Sequence, residues 1–259
     1  MRSRWVAWGV VPLVLALLGA CAGPSADPGD TAGPAPAEPT PTSTTPATPA
    51  TTATPATPAT TTTSTATTPA ARAFAGVAVQ VTAADLPHSW RPGCPVDPAA
   101  LRRLELSYWG FDGQPHTGAL VVNAGEADKV IGVFRRLYDN RFPIRRMEPI
   151  DVYGGSDDAS IAADNTAGFN CRNAVASGPP TWSQHAFGRA IDVNPLENPY
   201  LLDGSVLPPA GRDFLDRRDV RPGMAVRGGE LVAAFAAAGW SWGGVWANPD
   251  YQHFSTTGK

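Results

Sequence analysis

No apolar run in this sequence is an obvious membrane-crossing helix. The uncharged apolar stretch near the start, Trp5 to Leu18, falls short of the roughly 20 residues such a helix needs. There is no block of basic residues either. With 20 Lys and Arg against 23 Asp and Glu, the formal net charge is −3. A mildly acidic chain without a basic patch lacks the electrostatic footprint of a phosphate-binding surface, so nucleic acid is excluded as a partner. No internal repeat is visible. Cysteine and histidine are scarce, with three of one and four of the other, so each can be considered individually.

What is present divides the chain into three parts. Residues 1–21 begin with Arg2 and Arg4, continue through the apolar run and end on small residues before Cys21. That is the pattern of an export signal. Its ending, Leu18-Gly19-Ala20-Cys21, resembles the bacterial lipobox, which implies cleavage before Cys21, lipidation of its thiol and attachment to the cell membrane. The alternative is an ordinary secretory peptide. Residues 22–72 read as a disordered linker. From Pro39 to Ala71 every residue is Pro, Thr, Ser or Ala, which gives too little apolar surface to offset the entropy of ordering the chain. Repeated Thr-Pro steps favour an extended, semi-stiff spacer. Residues 73–259 remain as one domain of ordinary size. Charges before it cancel, Arg2, Arg4 and Arg72 against Asp27, Asp30 and Glu38, so the net −3 belongs to the domain. With Cys21 assigned to lipid, Cys94 and Cys171 are left as a pair, and an oxidising compartment makes a disulfide the default. A catalytic thiol at Cys171 is the alternative.

Within the domain, Val77 to Val81 reads as a strand. Asp97-Pro98 predicts a helix to about Glu105, with Asp as N-cap and Pro in the first turn. Ser107–Phe111 and Ala119–Asn123 predict a hairpin across the turn-rich GQPHTG. Glu126–Tyr138 is amphipathic, with Val130, Val133, Phe134 and Leu137 on one face. Ile150–Tyr153 predicts a strand, Asp157–Pro180 a long loop and Arg189–Val193 a strand. A helix capped by Gly229 runs to about Ala238, and turns with a final strand close the chain. Helices and strands mix without βαβ regularity, which gives an α+β class around a central antiparallel sheet flanked by helices.

Two segments carry chemistry. In Ser183-Gln184-His185-Ala186-Phe187-Gly188-Arg189-Ala190-Ile191-Asp192-Val193-Asn194, His185 precedes a glycine at which the chain can turn. Asp192 then lies on the opposite strand face from Ile191 and Val193. A buried Asp needs a cation or donors, and a His and an Asp converging near a turn suit a divalent metal. In Asp250-Tyr251-Gln252-His253-Phe254, a His follows a carboxylate by three residues. One group can bind metal while the other handles the proton of water. Two His and one carboxylate leave a fourth tetrahedral position open, as a catalytic zinc site requires. No further His or Cys lies near enough in sequence to close it.

Together these motifs, SxHxxGxAxD followed by DxxHF, resemble the zinc D-alanyl-D-alanine carboxypeptidase superfamily. That group includes vancomycin-resistance D,D-peptidases and phage L-alanyl-D-glutamate endolysins. The resemblance runs from about Asn165 to Phe254, and an earlier stretch through SYWGFDGQPHTGALVVN and RFPI resembles an actinobacterial-type subgroup. It implies a D,D-peptidase/hedgehog-like fold and one zinc ion held by His185, Asp192 and His253. It implies Asp250 as general base toward water, where many relatives carry Glu and some endolysins Asp. It implies Arg172 as a residue that holds substrate or stabilises the oxyanion, and Ser183 as a structural or substrate-side neighbour of the first ligand. The expected activity is hydrolysis of peptidoglycan stem peptides by a monomer facing the cell wall. Alternatives stay open: a catalytically silent peptidoglycan-binding module that retains the metal, or amidase or esterase action by the same centre. A serine hydrolase through Ser183 lacks the GxSxG context. Asp192 and Asp250 can also be read as turn residues, Arg172 as a surface charge, and Trp240, Trp242 and Trp246 as core. His88 and His116 lie in turn-like contexts and are not expected to bind zinc.

Overall fold

The computed structural model describes residues 73–175 and 179–258. The signal segment with Cys21 and the linker, residues 1–72, lie outside the described residues. Strand β1 (Gly76–Gln80) starts the fold, close to its expected place. Asp97 does act as a cap, its side chain accepting from the Ala99 amide at 2.9 Å. Only one 3-10 turn, Pro98–Ala100, follows before β2 (Leu101–Trp109) begins. The helix expected to Glu105 is therefore a strand. The cap signal is local, whereas Leu101 is buried beside β3 and Leu104 and Leu106 are buried in a ladder with partners on both sides, and long-range pairing overrides local propensity. β3 (Pro115–Asn123) completes the expected hairpin in the register Leu104↔Leu120, with longer strands and a tighter connection than the sequence implied.

Helix α1 (Ala127–Asp139) buries Val130, Val133, Phe134 and Leu137, the stripe read from the sequence. β4 (Arg146–Met147) follows. Ile150–Tyr153 is a 3-10 turn, not a strand. Its alternating pattern is misleading because Val152 is 63% exposed, and the Asp151 carboxylate accepts from the His88 and Ser89 amides to hold the turn. The stretch expected to be loop contains α2 (Asp157–Ala162), capped by the Ser156 hydroxyl, and β5 (Asn165–Thr166), which runs parallel to β4. After β6 (Ala190–Asp192) come the hairpin of β7 (Tyr200–Leu202) and β8 (Ser205–Leu207), then α3 (Glu230–Ala237). β9 (Ser241–Trp242) and β10 (His253–Ser255) close the chain.

Helices and strands intermix, and antiparallel pairing dominates. The antiparallel pairing is divided among two three-stranded sheets, β1-β2-β3 and β6-β10-β9, and the β7-β8 hairpin, where the sequence led to one central sheet. One core joins the two sheets. Leu104, Leu106, Leu120 and Val122 from the first sheet, Ile191 and Phe254 from the second and Val193 just after β6 share it with the buried faces of α1 and α3. Phe254 is fully buried and its ring stacks on Phe235 of α3 at 4.2 Å. Truncating such a side chain to Ala costs about 3–5 kcal/mol. Opposite strand faces then separate tasks: Phe254 enters the core and His253 faces the other way. A second cluster lies behind β2 and β3, built from Val81, Leu86, Leu101, Val121, Phe169 and Cys171. The disulfide between Cys94 and Cys171 pins it, joining positions 77 residues apart.

Candidate metal centre

His185 is placed by a turn docked onto the end of β3. Ser183 caps the 3-10 turn Gln184–Phe187, its hydroxyl accepting from the His185 amide at 3.2 Å. Gly188 ends it at φ +65°, and an added Cβ there would meet the Asn123 amide nitrogen at 2.5 Å. Only glycine suits both the left-handed backbone and that contact. Asn123 fastens the turn twice, its amide donating to the Gly188 carbonyl at 2.8 Å and its side chain to the Phe187 carbonyl at 3.1 Å. His185 is 3% exposed. Its Nδ1 lies 2.7 Å from the Gly168 carbonyl, which can only accept. In the neutral ring the proton therefore sits on Nδ1, and Nε2 presents its lone pair inward.

Asp192 and His253 face each other across the second sheet, directly paired in register on β6 and β10. Their side chains converge on His185. Asp192 Oδ2 is 3.1 Å from His185 Nε2, Asp192 Oδ1 is 3.1 Å from His253 Nδ1, and the two imidazole nitrogens are 3.3 Å apart. A tetrahedral ion with bonds of about 2.0–2.1 Å has ligand atoms about 3.3–3.4 Å apart. Two imidazole nitrogens and a carboxylate are a donor set that such an ion takes, and one atom from each residue lies within 4.8 Å of the others. Among the described residues this is the one group of three or more His, Cys, Asp or Glu with that proximity. Burial by itself would raise the Asp192 carboxyl. When the imidazoles are doubly protonated, the charge of His185 and hydrogen bonds from both rings outweigh burial and hold the carboxyl well below the usual carboxylate range.

Asp250 lies three residues before His253 and is 8% exposed, with Oδ1 buried and lacking a hydrogen-bond partner. Its amide donates to the Gly243 carbonyl at 3.1 Å. Burial first, then the charge of Asp192, pushes its carboxyl up to about 7, while His253 and Arg172 oppose the rise. Asp250 and Arg172 are thus within electrostatic reach of the cluster. Arg172 follows the disulfide-bonded Cys171, and its Nη2 donates to Asp157 Oδ2 at 3.0 Å. The half-buried Trp246 flanks His253, with ring centroids 5.2 Å apart. His116 pairs with Asp112 at 3.0 Å and stacks on Tyr108, away from this cluster.

Two participants carry no reading in the sequence, Asp157 and the Gly168 carbonyl, and Trp246, read there as core, flanks His253. Ser156 followed by Asp157 and Asp158 is a helix start, an N-cap with acidic residues in the first turn, and reading it so would have put Asp157 on an ordered element. No sequence signal marks a carbonyl as the partner of a His.

Residues 177–256 match the family model described as D-alanyl-D-alanine carboxypeptidase. The match supports the superfamily that the two motifs resemble, and it spans Ser183, His185, Asp192, Asp250 and His253. No curated protein and no solved structure matches the chain.

Proposed function

We propose that this protein is a zinc-dependent peptidase that hydrolyses stem peptides of peptidoglycan. It is exported, held to the membrane by lipid at Cys21, and works as a monomer at the end of a spacer formed by residues 22–72. The observation that carries the reading is the convergence of His185 Nε2 and His253 Nδ1, 3.3 Å apart, on Asp192, whose two carboxylate oxygens each lie 3.1 Å from one of the imidazoles. Two neutral imidazoles and one carboxylate suit zinc, and three protein ligands leave a position for substrate or water. When bound, zinc supplies Lewis acidity toward a scissile carbonyl and toward water. Gly168 orients the His185 ring by accepting from Nδ1. Asp250 takes a proton from the attacking water and returns it to the leaving amine, a role suited to a carboxyl tuned toward neutral pH. The Arg172 guanidinium supports negative charge as it develops on the carbonyl oxygen. Ser183 keeps the His185 turn in place.

The test is metal analysis of the purified protein together with digestion of peptidoglycan and of purified muropeptides, products being identified by mass. One zinc per chain and a released stem-peptide fragment are expected. Stoichiometric zinc with every muropeptide left intact would turn the reading to a binding module that retains its metal.

A further inference from the structure

Arg172 is one of the charged groups that act on Asp250, with Asp192, His253 and Asp157. Its guanidinium is already engaged. Nη2 donates to Asp157 Oδ2 at 3.0 Å, and Nη1 donates to the Asn173 carbonyl at 3.3 Å. The other Asp157 oxygen, Oδ1, accepts from Asn170 Nδ2 at 3.4 Å. The pair is sheltered, with side chains 23% and 25% exposed. Both ends are also anchored. Cys171, beside Arg172, is tied by its disulfide to Cys94, by its amide to the Ser89 carbonyl at 3.0 Å, and by its carbonyl to Arg91 Nη1 at 2.6 Å. Asp157 is the first residue of α2, behind the Ser156 cap. An ion pair held between two pinned elements is not a mobile surface contact.

This pairing bears on what the site accepts. A substrate whose residue after the scissile bond carries a free α-carboxylate needs an unpaired cation to receive that charge. Here Arg172 stands beside the His185 turn, its carbonyl accepting from the Ser183 amide at 3.1 Å, and its guanidinium already faces a carboxylate. A neutral carbonyl asks less, since the N–H groups that Asp157 leaves open can still donate to it. We propose that Asp157 sets the specificity of this site: by neutralising Arg172 it selects substrates in which the residue after the scissile bond has its α-carboxyl amidated or in peptide linkage, and disfavours those in which it is free. The inference rests on the peptidase reading above and narrows it.

The experiment uses the zinc-loaded full chain and two pairs of peptides. One pair contains an L-alanyl-D-glutamate bond with the glutamate α-carboxyl free or amidated. The other ends in D-alanyl-D-alanine with the terminal carboxyl free or amidated. In whichever pair is cut, the amidated member is expected to show kcat/KM about tenfold or more above the free one, the weight of one charge-assisted contact. Asp157→Asn frees the guanidinium, so KM for the free-carboxyl peptide falls about tenfold with a smaller change in kcat, and the preference collapses. Asp158→Asn removes a neighbouring charge on the same helix and leaves the preference as it was. A wild-type enzyme that cuts the free-carboxyl peptide equally well or better overturns the proposal and leaves the peptidase reading standing. So does a folded Asp157→Asn variant with an unchanged preference. If that variant does not fold, the wild-type ratio decides alone. Zinc-loaded protein that cuts none of the four overturns the peptidase reading and this inference with it.

Discussion

Glu197 offers a sharp test of the electrostatics because it lies outside the metal cluster. It is 1% exposed, and its neighbour Asp164 is 6% exposed. Among the described residues, the cation that reaches both is Arg145, at 3.5 Å from Asp164 and 3.7 Å from Glu197, and its own side chain is 46% exposed. Burial first, then the charge and hydrogen bond of Asp164, pushes the Glu197 carboxyl from 4.5 up to about 8. Between those two values the folded protein binds more protons than the unfolded chain, so stability falls as pH rises through the window. Each unit of pH costs at most about 1.4 kcal/mol, which sets a ceiling of about 5 kcal/mol by pH 8–9. Water around Arg145 screens the pair and keeps the real loss below that ceiling. Glu197→Gln preserves size, cannot ionise and can donate to Asp164. Urea unfolding of both proteins with a chelator present, from pH 5 to 9, isolates the effect, because other titrations cancel in the difference. The two should be nearly equal in stability at pH 5, with the variant gaining steadily to a few kcal/mol at pH 9. A difference that stays constant across that range would refute the reasoning.

His185→Ala and His253→Ala should each lose bound metal and hydrolysis together; full activity in either removes that residue from the ligand set. Asp250→Asn should keep its metal while kcat drops roughly 10²–10⁴-fold, the usual share of a general base. Loss of metal from folded Asp250→Asn would instead make Asp250 a ligand. The disulfide closes a loop of 77 residues, for which chain entropy gives about 4–5 kcal/mol. Intact-mass measurement should find two thiols only after reduction, and Cys94→Ser should lower the urea midpoint accordingly. An unchanged midpoint would mean that the unfolded chain is not constrained by the link.

The particular elements show why some of this was legible in the sequence. The α1 stripe is a local, periodic signal, and Val130, Val133, Phe134 and Leu137 are buried as it implies. The hairpin of β2 and β3 was marked by a turn between apolar runs. The failures came where local and long-range forces disagree. Asp97 and Pro98 do start a turn, but Leu101, Leu104 and Leu106 gain more from the ladder with β1 and β3 than from a helix. Ile150–Tyr153 has the alternation of a strand and no neighbour to pair with in its own sheet. Short β5 and six-residue α2 depend on tertiary contacts too sparse to pattern a sequence.

The candidate site divides in the same way. His185, Asp192 and His253 stand out because each sits in a short motif, and the structure brings their donor atoms within 4.8 Å of one another. What sequence spacing does not contain is the device that joins the motifs. Asp192 and His253 are 61 residues apart and meet because β6 and β10 pair in one register. A one-residue slip would turn His253 into the core and Phe254 toward Asp192. Phe254, locked on Phe235, resists that slip. The buried aromatic stack therefore specifies the metal triangle as much as its three ligands do, and the core and the chemistry here are consecutive residues of one strand.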